Sequence, residues 1–237
     1  MMGLSTFREL WPKQMAEPCL LDNDVILKVA TYSLNGAATS CLKFEGELPA
    51  MLGVGRFVLR QKVTKARHFK QPQRVVADLE ILFEALQTIE PTEDEVELAA
   101  DLEAAARQSG GAFDTGEAQL FAILLSRGSP ALVTGDKRAI AAAAVLDIAE
   151  AAGRVVCLEQ LLRCIAKKIP TDALRQLVCA EPQADRALSS CFACSSADST
   201  ELDSQALLAA LGSYIGYLRQ QSGALLMEDH DVLALAS

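Results

Sequence analysis

Short apolar runs alternate with helix-patterned stretches, and two of those runs lead straight into a carboxylate. Cys19-Leu20-Leu21 stops at Asp22-Asn23-Asp24, and Ala131-Leu132-Val133 leads to Gly135-Asp136. Val155-Val156-Cys157-Leu158 is a third such run. A segment that is apolar on every residue and too short for a helix suits a strand buried on both faces. The pattern therefore predicts an α/β chain, with a central parallel sheet between two helical layers.

The intervening stretches carry helical spacing. Val25, Ile26, Val29 and Tyr32 mark one helix, which Asn35-Gly36 is expected to close. Leu48 to Val63, broken by glycines, and Arg74 to Leu86 read as further helical stretches, and Thr88-Ile89 as a brief strand. Thr92 with Glu95 three residues later forms a capping box at the head of a helix that runs to Arg107 and ends at Gly110-Gly111. Glu117, Leu120, Phe121, Leu124 and Leu125 make one stripe, stopped by Gly128. An alanine-rich helix after Asp136 is expected to reach Ala152, with Gly153 ending it. Residues 1–18, punctuated by Trp11-Pro12 and Pro18, read as an irregular lead-in. From about residue 170 no strand pattern is visible, so the chain divides into an α/β domain over 1–168 and a helical C-terminal extension over 169–237.

Composition bounds the function. A chain of 237 residues buries a full core without disulfide or metal staples. Its net charge of −9 makes a generic nucleic-acid coat a poor reading. The longest apolar candidate, Ala139 to Leu146, falls far short of a membrane span, so no membrane partner is expected. Seven cysteines, an odd number, without an export signal point to a reduced, cytoplasmic chain. Cys191-Phe192-Ala193-Cys194 is a lone C-x-x-C without two further ligands for zinc, which favours a structural or incidental role.

In parallel sheets, ligands gather beyond the carboxyl ends of the strands. Asp22 and Asp136 fall there, and Asp114 with Glu117 opens the Leu120/Phe121 helix. Glu117 lies on the apolar stripe and should face the sheet. Carboxylates converging at one sheet end repel unless they are protonated or neutralised by a cation, and oxygen donors suit Mg²⁺ or Mn²⁺. Each acid also fits a purely structural role: Asp114 and Glu117 a capping box, Asp136 a helix cap, Asp22-Asn23-Asp24 a turn.

Leu20-Leu21-Asp22-Asn23-Asp24-Val25-Ile26-Leu27 resembles the opening strand and helix of PIN domains, the metal-dependent ribonuclease fold. Phe113-Asp114-Thr115-Gly116-Glu117-Ala118-Gln119-Leu120 and Leu132-Val133-Thr134-Gly135-Asp136-Lys137-Arg138-Ala139-Ile140 resemble that family's later acidic motifs. The resemblance covers residues 19 to about 160. It implies a PIN-like three-layer fold and makes Asp22, Glu117 and Asp136 the ligands of Mg²⁺ or Mn²⁺. Asp114 would be a further catalytic acid and Asp24 a residue that supports the site. It also implies RNA hydrolysis of the toxin or defence type, with an antitoxin protein as a possible partner and a homo-oligomer as a possible state. The family's additional acid on a helix after the first strand has no counterpart in Leu52-Gly53-Val54-Gly55-Arg56.

Seven Lys or Arg (56, 60, 62, 65, 67, 70, 74) stand between Arg56 and Arg74, without Asp or Glu and with Phe57, His68 and Phe69 interleaved. Arg60, Lys62 and Lys65, together with Lys137 and Arg138, are the candidate RNA contacts; the alternative is a solvated helix face. Two other classes stay open. Asp22-x-Asp24-Val25 also resembles the nucleophile and acid/base pair of haloacid-dehalogenase phosphatases, without their following glycine or a second acid near Asp136. A catalytically inactive PIN-like interaction module is the other.

Overall fold

The computed structural model describes residues 16–195 and 203–235; Trp11-Pro12 of the predicted lead-in lies outside them. In chain order the elements are β1 (Leu20–Leu21), α1 (Asn23–Thr31), α2 (Asn35–Cys41), β2 (Ala50–Leu52), α3 (Gly53–Lys65), α4 (Pro72–Glu84) and β3 (Gln87–Ile89). There follow α5 (Glu93–Gln108), α6 (Thr115–Arg127), β4 (Leu132–Thr134), α7 (Lys137–Leu146), β5 (Val155–Cys157) and α8 (Leu158–Ile165). The chain continues through α9 (Thr171–Ala180), α10 (Arg186–Cys191), α11 (Ser204–Ser222) and α12 (Asp229–Ala234).

The five strands form one all-parallel sheet in the order β3-β2-β1-β4-β5. Side-chain alternation divides the interior into two cores. Cys19, Leu21, Met51, Val133 and Val156 face one layer, built from α1 to α4 and α8 to α10. Leu20, Ala50, Leu52, Leu132 and Val155 face the other, built from α5, α6 and α7. Helix α11 joins both layers, with Leu207 and Leu211 in the first core and Ile215 and Leu218 in the second. The result is the expected α/β architecture, a parallel sheet flanked by helices on both faces.

Local chemistry accounts for much of this. Both predicted capping boxes form, Thr92 with Glu95 and Asp114 with Glu117. Gly128 ends α6 in the left-handed conformation at φ +74°, where a Cβ is disfavoured.

Four expectations are corrected. Leu48 to Val63 is not one helical stretch, because Ala50-Met51-Leu52 forms the fully buried strand β2. A three-residue apolar run has no periodicity with which to declare itself. Asn35-Gly36 opens α2 instead of closing a helix, and the Asn35 amide donates to the Asp78 carbonyl at 2.7 Å. Helix α7 stops at Leu146, where Asp147 takes a left-handed conformation, and a short 3₁₀ turn occupies Ala149–Ala151. The residues after 170 are not wholly without strand character. Leu226 bridges Val155 in parallel, Val155 N–H donates to the Leu225 carbonyl at 3.2 Å, and Met227 N–H donates to the Val155 carbonyl at 2.8 Å. This segment covers the β5 edge that would otherwise present unpaired backbone groups.

Candidate functional site

The strand order reverses between β1 and β4, and in parallel sheets ligands gather beyond the carboxyl ends of strands at such a point. Asp22 follows β1 directly and is only 7% exposed. Burial pushes its carboxyl up to about 6, repulsion from Asp24 and Asp114 adds to this, and the Thr134 hydroxyl opposes it. That hydroxyl, at the end of β4, donates to Asp22 Oδ2 at 3.0 Å and accepts from the Asp136 backbone N–H at 3.1 Å. One threonine thereby links the two acids that follow the central strands. Sequence reasoning does not single out Thr134; its position as the polar end of an apolar strand is the available signal.

Glu117 is 9% exposed. Its Oε2 accepts from Asp114 N–H at 2.8 Å, while Asp114 Oδ1 accepts from Glu117 N–H at 2.8 Å. The structural role considered for this pair is thus realised. Burial nevertheless raises the Glu117 carboxyl to about 7, and Asp114, Asp136 and Asp22 each add repulsion. Glu117 is therefore within electrostatic reach of the other three candidate acids, and Asp22 of Asp114.

Asp136 caps α7. Its carboxylate accepts from Arg138 N–H at 2.8 Å and from the guanidinium at 2.6 and 3.2 Å. Burial acts to raise it, but the Arg138 contacts prevail and hold it below the ordinary carboxylate range. Lys137 turns away, to Glu159 at 3.2 Å and over the Tyr214 ring at 4.8 Å.

Asp24 pairs with Lys28 at 2.7 Å, and Lys28 also reaches Asp185 at 2.7 Å. Burial opposes the Lys28 charge, but its two carboxylates keep the ammonium more basic than usual. A Cβ on Gly135 would collide with Asp24 Oδ2, so glycine is what allows the β4 loop to lie against this pair. A Cβ on Gly55 would likewise collide with the Asn23 amide oxygen. α3 itself carries no acid here, but the Glu90 carboxylate, from the residue after β3, lies against Gly53, where a Cβ would collide with its Oε1. Arg56 points elsewhere, donating to the Phe83 carbonyl at 2.8 Å.

The basic segment is partly committed to structure. Arg60 pairs with Glu80, with Nε to Oε1 at 2.7 Å, and Arg74 donates to the Thr31 carbonyl at 3.0 Å. Lys62 and Lys65 stay exposed.

The acids are of the right kind for a hard divalent cation, being carboxylates under mutual repulsion at one sheet end. Among the described residues, however, no group of three or more His, Cys, Asp or Glu is drawn to metal-binding separation. Glu117 is engaged at Asp114 and Asp136 at Arg138, so joint ligation requires these side chains to leave their present partners.

Among the cysteines, Cys194 bonds to Cys179, with Cα atoms 5.2 Å apart, while Cys191 is buried and free. This corrects the expectation of wholly reduced thiols. The turn after α10 carries Cys194 back to α9, a pairing that the C-x-x-C spacing conceals. Among the described residues no helix is long and apolar enough to cross a membrane. Comparisons with protein-family models, with curated proteins and with solved structures find no match to this chain.

Proposed function

We propose that the chain is a PIN-like, divalent-metal-dependent ribonuclease of the toxin or defence type, with residues 1–168 as the PIN-like body and 169–237 as its helical extension. One observation carries the reading. Asp22, Asp114 and Asp136 all repel Glu117 beyond the strands where the order reverses, and Asp22 and Glu117 hold protons more tightly there than carboxyls in water do. Such an arrangement is unfavourable for a bare protein and is relieved by a cation.

Asp22, Glu117 and Asp136 would hold Mg²⁺ or Mn²⁺, which supplies charge stabilisation at phosphate and a more acidic water. The chain's own residues prepare the site. Thr134 orients Asp22, the Asp114 cap fixes the turn that presents Glu117, and Arg138 balances Asp136 until a cation arrives. Lys62 and Lys65 offer positive charge to an incoming phosphate backbone.

A second reading, a PIN-like module without catalysis, has one observation in its favour: Asp136 is neutralised by the chain's own Arg138. Incubation of a short single-stranded RNA with the full chain, with Mn²⁺ or with chelator, separates the two. Metal-dependent cleavage that falls at least tenfold in folded Asp22→Asn and Asp136→Asn variants is expected. RNA left intact by the folded wild type with Mg²⁺ and with Mn²⁺ overturns the ribonuclease and favours the module.

A further inference from the structure

Next to the acid cluster, a cavity of about 270 Å³ opens between α1, the end of α3 with the loop that follows it, and the turn joining α9 to α10. Its wall combines three kinds of surface. Leu27, Ala66, Phe69 and Ala184 are apolar; Lys62 and His68 bring basic groups to an exposed rim; Gln183 offers both a donor and an acceptor. Thr31, also in the lining, has a buried Oγ1 with no hydrogen-bond partner. An unpaired buried hydroxyl is uncommon in a folded chain.

Size and chemistry narrow the occupant. The volume lies just under the ~300–1,000 Å³ typical of drug-sized ligands, which suits one flat heterocycle with part of its sugar. The Phe69 and His68 rings stand 4.3 Å apart at 51°, an aromatic corner against which a base can stack. Lys62 at the rim favours an anion beside the base. The cavity also joins the candidate site directly, since Asp24 lines it and lies against Gly135, in the loop that carries Asp136.

We infer that this cavity seats one unpaired nucleobase of a single-stranded RNA, with the adjoining phosphate at Lys62 and the strand passing over Asp24 to the acid cluster. The inference rests on the ribonuclease reading for its role, but the nucleotide seat itself can be tested without any cleavage.

The test uses the full chain and five probes: the four ribonucleoside 5′-monophosphates and ribose 5-phosphate, followed by ligand-observed NMR without metal. Saturation transfer to base protons of at least one nucleotide, and none to ribose 5-phosphate, is expected. Ala184→Phe fills the cavity and should abolish that transfer, and it should weaken binding of a short single-stranded RNA at least tenfold. Lys62→Gln, on the exposed rim, supplies a second variant with no risk to the core and should weaken both nucleotide and RNA binding severalfold. Base-dependent binding abolished or weakened in both variants supports the seat even if no RNA is cleaved, in which case only the ribonuclease reading fails. No base-proton transfer from any nucleotide overturns the seat, as does equal binding of ribose 5-phosphate. RNA affinity left unchanged by both variants also overturns it, even where cleavage proceeds and the ribonuclease reading stands.

Discussion

At the scale of single residues, the hydroxyl of Thr134 and the carboxyl of Glu117 determine how the acid cluster is held together. Thr134 donates to one acid and accepts from the backbone of the other, so neither Asp22 nor Asp136 moves without disturbing it. Glu117 remains in its capping box although burial and three neighbouring carboxylates act against its charge. Its carboxyl titrates near 7 in the folded chain, against ~4.3 when unfolded. The folded form therefore takes up the proton first as pH falls. The destabilising contribution is complete above pH 7 and fades as pH drops toward the unfolded value. Asp22, raised to about 6, acts in the same direction. Metal-free stability should accordingly rise from pH 8 to pH 5. Glu117→Gln keeps an oxygen for the Asp114 N–H and removes the charge. It should stabilise the chain by on the order of 1–3 kcal/mol at pH 8 and by little at pH 4.5. Urea denaturation at both pH values measures this, and an equal effect at the two would show that charge at Glu117 is not the cause.

At the scale of elements, what can be read from the sequence depends on whether a residue announces its conformation locally. Thr92 with Glu95 and Asp114 with Glu117 do so, because a capping box is written in four consecutive positions. Asp22 and Asp136 are legible because each follows an apolar strand. Ala50-Met51-Leu52 is not, since a buried three-residue strand and a helix fragment have the same composition. The long-range partners are invisible for a different reason: Lys28 meets Asp185, and Thr134 meets Asp22, only through the fold. Gly135 belongs to this second group, as its lack of a side chain matters only because α1 brings Asp24 against the β4 loop. Gly135→Ala should displace the Asp24 carboxylate from Lys28 and cost about 1–2 kcal/mol, within the usual range for overpacking. With Asp24→Ala present, the same change should cost almost nothing further. A double-mutant cycle by thermal unfolding reads this coupling; full additivity would mean that the β4 loop yields and Asp24 stays in place.

At the scale of the whole molecule, charge and core divide differently from the linear sequence. The seven basic residues between Arg56 and Arg74 form one block in the sequence, but in the fold Arg56, Arg60 and Arg74 turn to Phe83, Glu80 and Thr31. Lys62, Lys65, Arg67 and Lys70 stay exposed, and on the ribonuclease reading the two lysines of α3 meet the phosphate backbone. Replacing both with Gln should flatten the log–log salt dependence of single-stranded RNA binding by ~0.7 for each phosphate that is no longer neutralised. Arg60→Gln should leave that slope nearly unchanged, and filter binding across a salt series compares the two. A slope altered by Arg60→Gln as much as by the lysine pair would show that the Glu80 pairing gives way to RNA.

The residues after 169 also belong to the body more deeply than a helical appendage would. Leu207 and Leu211 complete one core, and Ile215, Leu218, Leu225 and Leu226 the other, all nearly or fully buried. Glu181, 1% exposed, accepts the Lys70 and Gln71 N–H groups at 2.7 and 2.6 Å, at the head of α4. Asp185 holds Lys28, and the Gln160 amide, on α8, donates to the Met227 carbonyl at 2.7 Å. Burying each such aliphatic side chain contributes about 1.5–3 kcal/mol, so removing these together is comparable to the whole ~5–15 kcal/mol that keeps a domain folded. Truncation would also bare the β5 edge that Leu225 to Met227 now covers, a template for pairing between chains. A chain ending at Lys168 should therefore lack a cooperative thermal transition and should aggregate. A milder variant tests the edge pairing alone. Met227→Pro deletes the N–H given to Val155 and should lower stability by about 1–3 kcal/mol through the unpaired carbonyl and the altered packing, with the transition still cooperative. Circular dichroism melting with light scattering distinguishes these outcomes. A soluble chain ending at Lys168 that melts cooperatively near the wild-type temperature would show that the first 168 residues form a core of their own.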